Sequence, residues 1–248
     1  SRSEMAISDQ FTWKNCYADV LSASYREIAL SFLNEVVDPS IDVLGIQIEK
    51  WRNSENPLAS LYISDLEDLY RSTMLAFCLS IQSLWERQLR EYIVGCAKEL
   101  KPNSDLIMKA TKADWKEIDK IFYELRGLSL MEFESYKKLD LLWRLGNVCR
   151  HGDGPSARSL WKSNPELWPN KLFSSLFLQE ELQLNGENPP PAKEISIKKN
   201  LLSSFVNAID LFWGETEYIY LESISNKHPS VVKKLSEMRA ARTGKSSN

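Results

Sequence analysis

Three side chains on one predicted helix have the types and spacing for phosphodiester chemistry. In Arg144-Leu-Gly-Asn147-Val-Cys-Arg150-His151, Arg144 and His151 are two helical turns apart and Asn147 lies between them. Spacings of three and four residues put all three on one stripe of a helix surface. A guanidinium can hold a phosphate, an amide can orient it, and an imidazole can move a proton near neutral pH. Gly152-Asp153-Gly154-Pro155 follows at once, so the stripe is expected to end at a glycine-capped helix C-terminus, where a cationic histidine is favoured.

The stripe extends backwards through Asp140 and Lys137, which read equally well as the solvated face of a core helix. Between them run Leu139, Leu141, Leu142, Trp143, Leu145, Val148 and Cys149, enough apolar surface for a helix covered on most sides. Gly146 interrupts that surface at a cost of roughly 1 kcal/mol relative to alanine. It therefore signals close approach of another segment, either within one chain or across a dimer seam. Residues 137–171 carry seven basic side chains against three acidic ones, in a chain whose net charge is −3. Arg150, Lys137 and Arg158 are the substrate-binding candidates within that basic stretch. Trp161 and Trp168 offer either base-stacking faces or ordinary loop packing.

The elements that position these residues are helical. Of 248 residues only nine are glycine, against eight tryptophans and nine each of tyrosine and phenylalanine. Apolar residues make up 43% and charged residues 26%, the balance of a globular chain. Helical periodicity predicts a first helix over 13–37 that stops before Pro39, and a second near 41–52. Ser64 and Glu67 form a capping-box pattern that opens a long helix ending near Leu100. A further helix spans about 113–126 and stops at Gly127. Ser129 and Glu132 form a second capping-box pattern, which is expected to open the motif helix. Residues 155–195 read as an irregular insertion, with the short apolar run Leu176–Leu184 unassigned and a soft linker at 185–191. An aromatic helix follows over 197–224, then a short helix after Pro229 and a frayed tail. The expected architecture is all-α: one domain over 5–228, with 229–248 as an appended helix and disordered tail.

Other chemistry is poorly supported. Cys16, Cys78, Cys96 and Cys149 are scattered, without a C-x-x-C pair, and read as reduced thiols packed as small hydrophobes. Two histidines and no ligand pair at metal spacing argue against a zinc site, and no cofactor is expected. His228 reads as a solvent-exposed loop residue, and Glu86 as a satisfied polar group or a helix-bundle ion-pair partner rather than a catalytic one. No apolar run approaches the ~18 residues of a membrane span, and no signal-peptide pattern is present, so a cytoplasmic soluble protein is expected.

Residues 142–154, Leu-Trp-Arg-Leu-Gly-Asn-Val-Cys-Arg-His-Gly-Asp-Gly, resemble the signature of the HEPN superfamily. These are all-α proteins of prokaryotic defence and toxin systems and of eukaryotic RNA processing. The family pattern is an arginine, four to six residues, then a histidine near a helix C-terminus. Arg144 and His151, with six residues between them, stand at its long edge. Asn147 is displaced from the usual place directly after the arginine, and a second alignment takes Asn147 with Arg150-His151 and leaves Arg144 as support. The long helix around Ser80–Ile93 and the late aromatic helix share the resemblance, which covers about 60–150 and 195–225.

The resemblance implies a HEPN-like helical bundle and a metal-independent endoribonuclease acting as a homodimer, plausible as a toxin or effector of antiphage defence or stress response. Arg144, Asn147 and His151 would be its catalytic residues and RNA its substrate, with a regulatory or antitoxin protein as a further partner. The alternative is a non-catalytic helical module of the same type that binds RNA, a nucleotide or a partner protein.

Overall fold

A computed structural model describes residues 11–169 and 190–245. Among these the regular structure is entirely helical, with nine α-helices: α1 (Leu21–Ser31), α2 (Asp38–Arg52), α3 (Ala59–Leu100), α4 (Leu106–Lys112), α5 (Trp115–Arg126), α6 (Tyr136–His151), α7 (Pro155–Ser163), α8 (Lys199–Glu222) and α9 (Pro229–Lys245). No helix among the described residues is long and apolar enough to cross a membrane. The unassigned run 176–184 and most of the linker, 185–189, lie outside the described residues.

Several boundaries differ from those the sequence suggests, each for a local reason. The backbone does not stop before Pro39: Phe32–Val37 form a π-helical segment that leads directly into α2. The wider turn accommodates a proline that has no N–H and whose ring would crowd the preceding turn of an α-helix. Ser40 Oγ reinforces the passage by donating to the Val36 carbonyl at 2.6 Å. Helix α3 starts at Ala59, so Ser64 and Glu67 lie inside it and cap nothing. Asn56 starts the helix instead, its Oδ1 accepting from the Leu58 N–H at 2.9 Å, while Glu67 pairs with Arg52 at 2.7 Å.

The Ser129–Glu132 capping box does form, but it closes a three-residue 3₁₀ turn rather than opening the motif helix. Phe133 then turns extended (ψ 137°) and buries its ring 4.5 Å from Phe212 and 5.8 Å from Phe122, so α6 begins only at Tyr136. Among the described residues, the stretch after the motif begins with a helix rather than irregular chain. Pro155 ends nothing further; it is the first residue of α7, a position where its missing N–H costs no bond. The C-terminal helix runs to Lys245, through much of the expected tail.

The chain forms two compact units. One comprises the described residues of Ser1–Ala29, Trp85–Lys137 and Ala208–Asn248; the other comprises Leu30–Leu84 and the described residues of Lys138–Asn207. The first has an aromatic core. Trp213 sits 4.7 Å from Tyr25, 5.3 Å from Tyr92 and 5.0 Å from Phe212, and its indole N–H donates to Gln88 at 2.9 Å. Gln88 in turn donates to the Tyr25 carbonyl at 3.1 Å, so the buried amide is satisfied at both ends. Helix α9 docks through Leu235 against Tyr218 and Leu221, with Lys234 bonded to Glu217 and Arg239 to Glu222.

Within this unit Asp19 and Arg126 form a fully buried ion pair, with side chains 0% and 1% exposed. Asp19 also accepts from the Tyr92 hydroxyl at 2.7 Å and from the Cys16 backbone N–H at 2.8 Å. Arg126 lies over the Trp13 ring at 3.7 Å and donates to the Lys14 carbonyl at 3.1 Å. Replacing Asp19 by Ala strands a buried guanidinium, so the expected loss of unfolding free energy is about 3–5 kcal/mol. Equilibrium denaturation should show this, and Asp19→Ala combined with Arg126→Leu should cost less than the two single losses added.

Candidate active site

Helix α6 ends as the sequence suggests. Gly152 takes the left-handed conformation (φ +67°) and its N–H reaches back to the Val148 carbonyl at 2.8 Å. Asp153 accepts from the Ala192 N–H at 2.6 Å, and Ser196 N–H bonds the Leu167 carbonyl at 2.8 Å, which ties residues 192–196 to the segments that flank α7. Trp168 is buried, its indole N–H on the Pro191 carbonyl at 3.2 Å and its ring edge-on to Trp161 at 5.4 Å. It is a packing residue, and no base can stack on it.

The stripe contains two kinds of side chain. Arg144 is held: Nε donates to Asp140 at 2.9 Å and Nη1 to Ser163 Oγ on α7 at 2.7 Å. Those contacts use two of the five N–H groups of a guanidinium. Among the described residues Asn147, half-buried, and His151, exposed, make no side-chain hydrogen bond. A cation is thus fixed in place, with an amide and an imidazole one and two turns further on, about 10 Å along the axis in all.

Arg150 has a different role from its neighbours. Its Nη2 donates to Gln82 Oε1 on α3 at 3.0 Å, and Gln82 is completely buried. The amide reaches Arg150 by lying across Gly146, one turn earlier: a Cβ at Gly146 would stand 2.5 Å from Gln82 Cγ. Gly146 therefore serves close packing of α3 and α6 within one unit. Gln82 was not singled out in the sequence; a lone amide in the apolar run Ser80-Ile-Gln-Ser-Leu was the available signal. Lys137 stands exposed on the first turn of α6 and Arg158 exposed on α7.

Cys149, beside Arg150, is hydrogen-bonded to the buried Cys78, both as free thiols. That hydrogen bond first, and burial second, push the Cys78 thiol well above its ordinary range, so it keeps its proton. Among the described residues no three His, Cys, Asp or Glu side chains converge to hold a metal ion. Glu86 and Arg90 form an i,i+4 pair at 2.8 Å, a structural contact.

Comparison with protein-family models, with characterised proteins and with solved structures finds no match to this chain.

Adding a methyl at Gly146 must displace Gln82 and loosen its hold on Arg150. Gly146→Ala should destabilise by about 1–3 kcal/mol, read as a lowered melting temperature. Gly146→Ala with Gln82→Ala should recover part of that loss.

Proposed function

We propose that the chain is a metal-independent endoribonuclease of the HEPN type, with Arg144, Asn147 and His151 as its catalytic groups. The observation that carries this reading is the division along α6. The arginine is fixed by Asp140 and Ser163, while the histidine two turns on is exposed and uncommitted among the described residues. Transition-state stabilisation favours a charge that is already oriented, and proton transfer needs an imidazole that substrate can reach.

RNA supplies its own nucleophile, the 2′-hydroxyl. His151 as base takes that proton while the 2′-oxygen attacks phosphorus; an imidazolium gives a proton to the departing 5′-oxygen. The three remaining N–H groups of Arg144 face the charge that builds on the phosphorane oxygens. Asn147 orients the phosphate. Base and acid act together only if two imidazoles are present, and α6 offers one. The proposed enzyme is therefore a homodimer with two such helices at one composite site, and a protein partner that restrains it fits the toxin or effector reading.

Purified wild type and His151→Ala, incubated in EDTA with total RNA and tRNA, test this directly. Wild type should cut and leave 2′,3′-cyclic phosphates and 5′-hydroxyls. His151→Ala should be slower by about 10²–10⁴-fold. Equal cleavage by both would remove His151 from the chemistry, and a monomer in light scattering at micromolar concentration would remove the composite site.

A further inference from the structure

The chain's other concentration of reactive groups lies in the first compact unit. Cys16 Sγ and Cys96 Sγ are 3.4 Å apart, both buried, although 80 residues separate them in sequence. A disulfide needs about 2.05 Å between sulfurs. Each sulfur must therefore move by well under 1 Å, within reach of small side-chain rotations.

This approach is built into the backbone. Gly95, next to Cys96 on α3, has no Cβ, and one placed there would stand 2.9 Å from the Ala18 Cβ. Two small residues thus let the segment 16–20 lie directly on α3, with Cys16 facing Cys96. The Asp19 carboxylate pins the same segment through the Cys16 N–H at 2.8 Å. Arg126 places Nη1 3.9 Å from Cys16 Sγ, a cation beside one sulfur of the pair.

From this geometry we propose that Cys16 and Cys96 are a redox-active dithiol, Cys16 the attacking thiolate and Cys96 the resolving thiol, closed to a disulfide by hydroperoxides. The Cys16 thiol is held below its ordinary range, chiefly by the hydrogen bond from Cys96 and further by Arg126, against opposition from burial and Asp19. The Cys96 thiol is pushed up, by its bond to Cys16 first and burial second, so it keeps the proton and donates it. Thiolate character on one sulfur with a protonated neighbour is the arrangement of a sensing pair. The flanking residues Tyr17, Ala18 and Gly95 line a surface cavity of about 710 Å³ that comes to within one residue of each cysteine without including either.

The chemistry balances in two steps. Cys16 sulfur attacks the peroxide oxygen; an S–O bond forms, the O–O bond breaks, and the leaving oxygen departs as water after taking a proton. Cys96 sulfur then attacks the Cys16 sulfenic sulfur; the S–S bond forms, the S–O bond breaks, and a second water leaves with the Cys96 proton. Two thiols and one hydrogen peroxide become one disulfide and two waters. The product would staple residues 14–20 to α3 and close an 80-residue loop, raising resistance to heat.

The test is titration of the full chain with hydrogen peroxide, then alkylation of remaining thiols under denaturing conditions and peptide mapping without reductant. The second thiol pair, Cys78 with Cys149, is the internal comparison. Expected is a Cys16–Cys96 cross-linked peptide that appears before any change at Cys78 or Cys149, is reversed by dithiothreitol, and comes with a melting temperature raised by several degrees. A Cys96→Ser chain, which keeps a hydrogen-bond donor to Cys16 and has its fold checked by circular dichroism, should accumulate a Cys16 sulfenic acid that dimedone traps. Full alkylation of Cys16 and Cys96 at an oxidant level that oxidises the other pair would overturn the proposal. So would a Cys78–Cys149 cross-link forming first.

Discussion

The first unit is organised around a charge that cannot be left alone. Asp19 and Arg126 are both shut off from solvent, and removing two ions from water costs several kcal/mol each. Their attraction offsets that cost only while the remaining donors and acceptors are also used. The structure uses most of them, through Tyr92 from α3, the Cys16 backbone N–H, the Lys14 carbonyl and the Trp13 ring, while Arg126 Nε is buried without a hydrogen bond among the described residues. The pair adds little net stability over an apolar substitute of the same shape. What it does is dictate placement: the segment 13–19, which ends in a 3₁₀ turn, is held where the two charges meet, and that position carries Cys16 to Cys96.

A comparable rule of occupancy governs α6. Two arginines on that helix reach different partners: Arg144 reaches Asp140 and Ser163, Arg150 reaches Gln82. Sequence spacing cannot separate them, because each precedes or adjoins His151 on an accessible turn. The buried Gln82 does separate them. A completely buried amide must find partners, and Arg150 provides one only because Gly146 leaves room for the amide to pass. Arg150 is thereby tied to α3 through one N–H group, as Arg144 is tied to Asp140 and to Ser163 on α7 through two.

The parts of the fold that were legible in the sequence were those set by local rules. Gly127 and Gly152 both take positive φ at helix ends, and Lys101-Pro102 ends α3. What was not legible depended on tertiary contacts. The Ser129 box formed but did not propagate, because burying Phe133 against Phe122 and Phe212 outweighs one more helical turn. The Ser64 pattern fell inside a helix because Asn56 and Pro57 had already started it. Pro39 failed to break a helix because a π segment took up its ring. In the candidate site, the stripe of Arg144, Asn147 and His151 follows from periodicity alone. Gln82 and Ser163 do not, since each is brought to α6 from a distant part of the sequence.

The contrast between committed and uncommitted polar groups also bears on the choice between catalysis and binding. A module that only binds phosphate gains from every cation on the surface and has no need of an accessible imidazole beside one oriented guanidinium. A ribonuclease of the proposed type needs few cations but needs them fixed, since freedom in Arg144 would have to be lost as charge develops. Asp140 and Ser163 remove that freedom in advance. The Asp140 carboxylate also lowers the local positive potential, a disadvantage to a binder of polyanions and a small one to an enzyme that must release its product. On α6, then, the pairing that weakens the case for an electrostatic docking surface is the same pairing that would orient the arginine in the proposed ribonuclease.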